Sequence, residues 1–249
     1  HGPTNKISIT NAPSTSVTGA VFTSQPVVTI QDQDGNTIDD GTDSTQLVTL
    51  SSSDATIGGT YSMYAVAGVA DFSGKGVKLS GTVGARNLTA TISSPSTKTA
   101  TVQVTLEVGT PTQIAITRQP VGFVNRVAFT TQPQISFQDS AGNTVSSVTD
   151  TVTVSVNTGG TIGTLTANAV NGVATFSGLG LTGTVGSRVL TFSATGYSDV
   201  TQTVTLTAAA ADHIGFTIKP TTTVNNVNFA TDVGVRIYDV DNKDRKSTR

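Results

Sequence analysis

The chain has 249 residues, 12% of them charged and 36% hydrophobic, with 14 basic against 16 acidic side chains and no cysteine. That length exceeds the ~100 to 150 residues of a typical single domain, and the near balance of charge supplies no long-range field to gather nucleic acid or an anionic membrane. With no thiols there are no disulfides, so each domain must be held by apolar burial and sheet hydrogen bonds.

Polarity comes instead from 47 Thr and 24 Ser, with Glu107 the one glutamate; this composition suits the open face of strands and offers little to a helix. No apolar run of about 18 residues occurs, and the His-Gly-Pro start lacks the charged and apolar pattern of a leader, so neither a membrane span nor a signal peptide is expected.

In chain order, the first strand signal is Ile7-Ser8-Ile9-Thr10, followed by Phe22-Thr23-Ser24-Gln25-Pro26 and the apolar pair Val28 and Ile30. A polar turn, Gln31-Asp32-Gln33-Asp34-Gly35-Asn36-Thr37, comes next, then Val48 and Leu50, Gly68-Val69-Ala70-Asp71-Phe72-Ser73-Gly74, and Leu88 with Ala90. Val102, Val104, Leu106 and Val108 alternate with Thr101, Gln103, Thr105 and Glu107, a half-buried strand by its period of two. The series then starts again. Ile114-Ala115-Ile116-Thr117, Phe129-Thr130-Thr131-Gln132-Pro133 and Gln138-Asp139-Ser140-Ala141-Gly142-Asn143-Thr144 repeat the opening blocks at an offset of 107.

Gly172-Val173-Ala174-Thr175-Phe176-Ser177-Gly178 repeats at 104, and Gly183-Thr184-Val185-Gly186-Ser187-Arg188 repeats Gly81-Thr82-Val83-Gly84-Ala85-Arg86 at 102. Indels thus fall between matched blocks, where loops belong. The expected core pairs are Val28 and Ile30 with Ile135 and Phe137, Val48 and Leu50 with Val154 and Val156, Ala70 and Phe72 with Ala174 and Phe176, and Leu88 and Ala90 with Leu190 and Phe192. A third opening follows at Ile214-Gly215-Phe216-Thr217, with Phe229 and Thr231 of the next block retained and Val233, Val235 and Ile237 alternating after it.

About seven short strands in ~100 residues, separated by Gly, Asp and Asn turns, predict an all-β fold of tandem immunoglobulin-like β-sandwich domains. The short connections 109–113 and 208–212 predict an end-to-end arrangement. The domains are read as 1–109, 110–212 and the incomplete N-terminal part of a third, 213–249.

The runs FTTQPQISFQDSAGNTV, AVNGVATFSGLGLTGTVGS and LTFSATG resemble the tandem Ig-like repeats of large bacterial surface and adhesin-type proteins. The likeness is strongest over 114–211 and weaker over 4–108, where Asp71 stands for the commoner Thr and Lys75-Gly76-Val77-Lys78 reads as an insertion. It implies a stalk or spacer and brings no catalytic residues.

Catalytic material is thin. The two histidines are His1 and His213, the latter read as a linker residue, so neither full domain holds a base for a Ser-His pair. Asp32, Asp34 and Asn36 place oxygens at alternate positions, with Asp39, Asp40 and Asp43 behind, a pattern able to hold calcium and equally able to form a polar turn. The second domain has Ala141 for the middle Asp, and the third offers Asp239, Asp241, Asn242 and Asp244.

Asn87-Leu88-Thr89 fits the N-glycosylation pattern. Tyr61 and Tyr64 are the candidates for stacking on a sugar, with strand packing as the alternative. No lysine lies between Lys98 and Lys219, so a Lys-derived isopeptide bond cannot form in the second domain, and the basic cluster 243–246 reads as a solvated loop.

The expected function is a non-catalytic structural or spacer module, extracellular or at a cell surface, with no cofactor unless calcium. Its partners would be neighbouring repeats or other surface or filament subunits, with no nucleic acid. A ligand-binding adhesin domain, and an accessory domain of a secreted polysaccharide-degrading enzyme, are the alternatives. The opening strands of the third repeat leave an apolar face, so they are expected to pair with further protein, either the rest of that domain or a neighbouring subunit.

Overall fold

The computed structural model describes residues 2–219, 228 and 232–240. His1, Phe229, Thr231, Asp241, Asn242, Asp244 and the cluster 243–246 lie outside the described residues. Two compact units are present: His1–Thr112 with Gln138–Val145, and Gln113–Phe137 with Ser146–Arg249.

The strands of the first unit are β1 (Lys6–Asn11), β2 (Thr15–Val17), β3 (Val27–Gln31), β4 (Leu47–Ser51), β5 (Thr56–Gly58), β6 (Ser62–Tyr64), β7 (Val69–Asp71), β8 (Lys78–Ser80), β9 (Gly84–Ile92) and β10 (Lys98–Glu107). They form a sheet in the order β1-β3-β7, a second in the order β2-β10-β9-β4-β6, and the pair β5-β8. The alternation read in 101–108 shows directly, because Val104 and Leu106 are buried while Thr101, Gln103, Thr105 and Glu107 are exposed. Val28, Ile30, Ala70 and Phe72 from one sheet share a core with Val48, Leu50, Leu88, Ala90, Ile92, Val104 and Leu106 from the other. This is the Ig-like β-sandwich, two sheets closed on their inward faces.

The threonines take the opposite face. Register sets Thr99, Thr91, Thr49 and Ser62 side by side across four strands, and Thr49 Oγ1 meets Ser62 Oγ at 2.9 Å as Thr89 Oγ1 meets Thr101 Oγ1 at 2.9 Å. Cross-strand hydroxyl pairs stabilise the sheet and keep it wetted with few charges.

The remaining strands, in the second unit except for Gln138, are β11 (Gln113–Arg118), β12 (Gln134–Gln138), β13 (Thr151–Val156), β14 (Gly160–Ile162), β15 (Thr166–Val170), β16 (Val173–Thr175), β17 (Gly180–Thr182), β18 (Gly186–Ser193), β19 (Val200–Leu206), β20 (His213–Ile218) and β21 (Gly234–Tyr238). One sheet runs β11-β12-β16-β15-β13-β18-β19. Its two halves are joined by β15, which pairs with β13 through Thr166, Ala167 and Asn168 and then with β16 through Ala169 and Val170. Ile135, Phe137, Ala174, Phe176, Leu190 and Phe192 are buried as expected. Among the described residues the one helical segment is the 3-10 turn Thr42–Thr45.

Three expectations are corrected. Val48 and Leu50 correspond to Val152 and Val154, two residues earlier than the sequence suggested: Leu50 faces Ala90 and Val154 faces Phe192, while Val156 is only half-buried. Alternation with a period of two is unchanged by a slip of two, so only the neighbouring strand decides the register. The three extra residues of the first domain therefore lie between Ile38 and Val48, where the 3-10 turn forms.

The stretch Lys75-Gly76-Val77-Lys78 is not wholly an insertion. Phe22 N donates to Val77 O as Phe129 N donates to Leu179 O, and Val77 and Leu179 are both fully buried; Val77 is core. His213, read as a linker residue, opens β20 at the place held by Lys6 in β1, since it pairs with Tyr238 as Lys6 pairs with Gln31.

The pair β20-β21 copies β1-β3 in register but not in burial. Ile214 and Ile237 face each other as Ile7 and Ile30 do, yet they are 70% and 50% exposed against 5% and 0%.

Candidate functional site

The polar turn after β3 is built on one carboxylate. Asp32 Oδ1 accepts from the backbone N–H groups of Asp34 (3.0 Å) and Asn36 (2.9 Å), and Asn36 Nδ2 donates to Asp32 Oδ2 at 3.2 Å. Asp32 Oδ2 also accepts from Gly2 N at 3.4 Å. Burial works against ionisation here, and the Asn36, Gly2 and Asp34 donors outweigh it, holding the carboxyl below its ordinary value.

Both oxygens of Asp32 are thus occupied by N–H donors, as in a side-chain-closed turn. Asp34 is exposed, and Asp43 is turned to Thr4, accepting from its N–H (3.1 Å) and Oγ1 (2.8 Å). Among the described residues no three His, Asp or Glu side chains gather as a metal site. In the structure Asp32 and Asn36 close this turn, and Asp34 contributes its backbone N–H to it.

The same clasp recurs at Asp139, whose Oδ1 accepts from Ala141 N and Asn143 N at 2.9 Å each. Its Oδ2 accepts from Asn143 Nδ2 (3.1 Å) and from Gly109 N (3.0 Å). Burial again opposes ionisation, and the Gly109, Asn143 and Ala141 donors override it, so this carboxyl also titrates low. Asp239 Oδ2 takes Ala209 N at 3.3 Å. In all three places an Asp thirty residues downstream holds the segment entering β1, β11 or β20. A backbone bond follows each time, Asn5 N to Gln31 O, Thr112 N to Gln138 O and Asp212 N to Tyr238 O.

One part of this site was missed in the sequence. Asn143 Nδ2 donates to Gly81 O (3.0 Å) and its Oδ1 accepts from Val83 N (3.1 Å), both inside the first compact unit. The Gly81-Thr82-Val83 loop is held at its base by Thr18 Oγ1, which accepts from Gly81 N (2.9 Å) and donates to Gly81 O (3.0 Å). It is held behind by Arg86, donating to Thr82 O (2.8 Å) and Val83 O (3.1 Å). The recurrence of Gly-Thr-Val-Gly-x-Arg at 183–188 was the signal that could have drawn attention to it.

The remaining candidates are scattered. Asn87 lies on β9 facing Gln103; its N–H donates to Asp54 Oδ1 (3.1 Å) and its Nδ2, the atom a glycan would take, sits 3.5 Å from Asp54 Oδ2. Tyr64 is 67% exposed beside Leu47, its partner across β4-β6, and Tyr61 is also exposed. The corresponding pair in the second unit is Thr151 and Asn168. His213 Nδ1 is 3.0 Å from Asp212 Oδ2, and its ring stacks on Tyr238 at 5.6 Å.

No protein-family model matches this sequence, and no curated protein matches it. Among solved structures, the chain is similar to invasin, a bacterial integrin-binding protein, with 13% identity over 98% of this chain and 49% of that one at a TM-score of 0.37. It is also similar to a β-glycosidase from Bacteroides vulgatus, with 13% identity over 82% of this chain and 25% of that one at a TM-score of 0.35. A β-glucuronidase of glycoside hydrolase family 2 matches at 13% identity over 84% of this chain and 21% of that one, with a TM-score of 0.36. The chain thus spans about a quarter of the glycosidases it resembles and about half of invasin.

Proposed function

We propose that this chain is a non-catalytic spacer module of an extracellular or cell-surface adhesin, stalk or filament. The observation that carries this reading is the repeated clamp on the connecting segments: Gly2, Gly109 and Ala209 each bonded to an Asp thirty residues on, and Asn5, Thr112 and Asp212 each bonded to the strand before that Asp. A connector tied at two points resists extension better than a free linker, which is what a load-bearing element needs. The displaced carboxylates Asp32, Asp54, Asp71 and Asp139 are all shifted downward, which suits turn-holding acceptors and not a general acid.

In this reading β20-β21 opens a third sandwich, and its apolar face, Ile214, Phe216, Val235 and Ile237, is covered by further strands of the kind that cover Ile7, Val28 and Ile30.

The test is to pull the whole chain between its ends in a single-molecule force instrument. Each intact sandwich should give way in one step of about 350 Å, the extended length of ~100 residues, after a stiff rise. Gradual lengthening at low force, through the connectors before either sandwich opens, would contradict a spacer role.

One observation favours the second reading, a ligand-binding adhesin domain. Tyr64 stands exposed across from the exposed Leu47, where the second sandwich has Thr151 and Asn168. Loss of glycan-array signal on Tyr64→Ala, with unchanged melting, would support it.

A further inference from the structure

The Asp32 turn and the Asp139 turn repeat one set of hydrogen bonds in different surroundings. At the second, Asn143 is 9% exposed because its side chain seats the Gly81-Thr82-Val83 loop by a donor and an acceptor. Gly109, held on Asp139, completes the seat: a Cβ there would stand 3.3 Å from Asp139 Cβ and 3.7 Å from Val17 Cγ1.

At the first turn the same set of donors recurs, Asp34 N, Asn36 N, Asn36 Nδ2 and Gly2 N on Asp32. Asn36 is exposed, its Nδ2 is turned onto Asp32 as that of Asn143 is onto Asp139, and its Oδ1 accepts no hydrogen bond among the described residues. Gly2 takes the place of Gly109, and a Cβ on it would meet only Asp32. On the Gly2 side of the turn lies a cleft of about 310 Å³, lined by Gly2, Thr4, Asn5, Asp32, Gln33 and Asp34.

We propose that the Asp32 to Asn36 turn is a docking surface for another sandwich of this type, placed ahead of Gly2 and presenting a Gly-Thr-Val-Gly-x-Arg loop. The partner chemistry is specific: a backbone carbonyl and, two residues on, a backbone N–H, held rigidly enough to meet the carboxamide of Asn36 in both directions. The loop that meets these terms occurs twice in this chain, at 81–86 and 183–188. It is braced from behind both times, by Arg86 on Thr82 O and by Arg188 on Thr184 O.

Its base is held both times as well, since Gly81 N donates to Thr18 Oγ1 and Gly183 N to Asn125 Oδ1. The inference rests on the spacer reading for its biological sense and on the two turns for its geometry.

The experiment adds an extra copy of residues 1–108 ahead of Gly2 in the full chain, so that Gly2 follows Val108 as Gly109 does in the native sequence. Amide exchange of Val83 is then followed in both copies. Asn143→Ala should speed exchange of the native Val83 roughly tenfold, the share of one well-made hydrogen bond, and Asn36→Ala should do the same for the added Val83. Melting of the unextended Asn36→Ala chain, expected to fall by only the few degrees that the lost Nδ2–Asp32 bond accounts for, shows that the variant folds.

If the added Val83 exchanges at one rate with and without Asn36, the docking surface is refuted. A native Val83 indifferent to Asn143 would remove the template and refute it as well. The force measurement is independent of both, so failure of the spacer reading and failure of the docking surface are told apart.

Discussion

Phe176→Ala tests whether the two sandwiches stand on separate cores. Phe176 is 1% exposed and packs edge to face on Phe192 with ring centroids 5.6 Å apart. Truncation removes the ring's transfer free energy, opens a cavity that the flanking sheets cannot fill, and loses the aromatic pair, together about 3 to 5 kcal/mol. For a domain of ~100 residues each kcal/mol shifts melting by about 4 to 8 °C, so the second sandwich should melt at least 12 °C or so earlier.

Phe72 stands at the matching place in the first unit, fully buried in a separate cluster, and should be untouched. Calorimetry combined with amide exchange at Leu88 and Leu190, one central strand residue from each sandwich, resolves the two transitions. Unchanged melting would show that Phe176 is not core, and equal destabilisation at both reporters would show a single cooperative unit; either refutes the reasoning.

Gly163→Ala should destabilise by more than about 3 kcal/mol, because at φ 82° its Cβ runs into the Gly178 carbonyl, whereas Gly186→Ala, at φ 122° with open space around it, should cost only the backbone strain of about 1 to 2 kcal/mol; urea unfolding compares them. For Asp139 the folded carboxyl titrates below the unfolded value near 3.9, so its stabilisation is complete above that pH and is lost as pH falls through the folded value. The stability gap between wild type and Asp139→Asn should therefore be wide at pH 6 and narrow as pH falls below the unfolded value of about 3.9, and a gap that stays constant through that fall would be incompatible with an ionised clasp. Ten millimolar calcium should leave the melting of the first sandwich unmoved, since a site with a Kd near 0.1 mM would add about 2.7 kcal/mol at that concentration; a rise of several degrees abolished by Asp34→Ala would reinstate an ion at Asp32, Asp34 and Asn36.

The all-β class and nearly every core position were legible in the sequence, because strand burial writes itself as alternation: Val102 to Glu107 reads correctly without any neighbour in view. Val48 and Leu50 show where that legibility stops. The pattern alone pairs them with Val154 and Val156, and the structure pairs them with Val152 and Val154, since a two-residue slip preserves the alternation and only contact with Ala90 or Phe192 tells the registers apart.

The turn at Asp32, Asp34 and Asn36 was legible as a cluster of oxygens but not in its purpose, because the same residue types serve an ion or a backbone. Not legible were the donors remote in sequence that these carboxylates collect, Gly2 N on Asp32 and Gly109 N on Asp139, thirty residues away. Asn143 makes the same point over sixty residues, through Val83 N and Gly81 O. Local composition determines which segments become strands and turns, since it acts through the period of the backbone. The tertiary structure decides which carbonyls and N–H groups those turns meet, since that depends on chain closure and on no property of the turn itself.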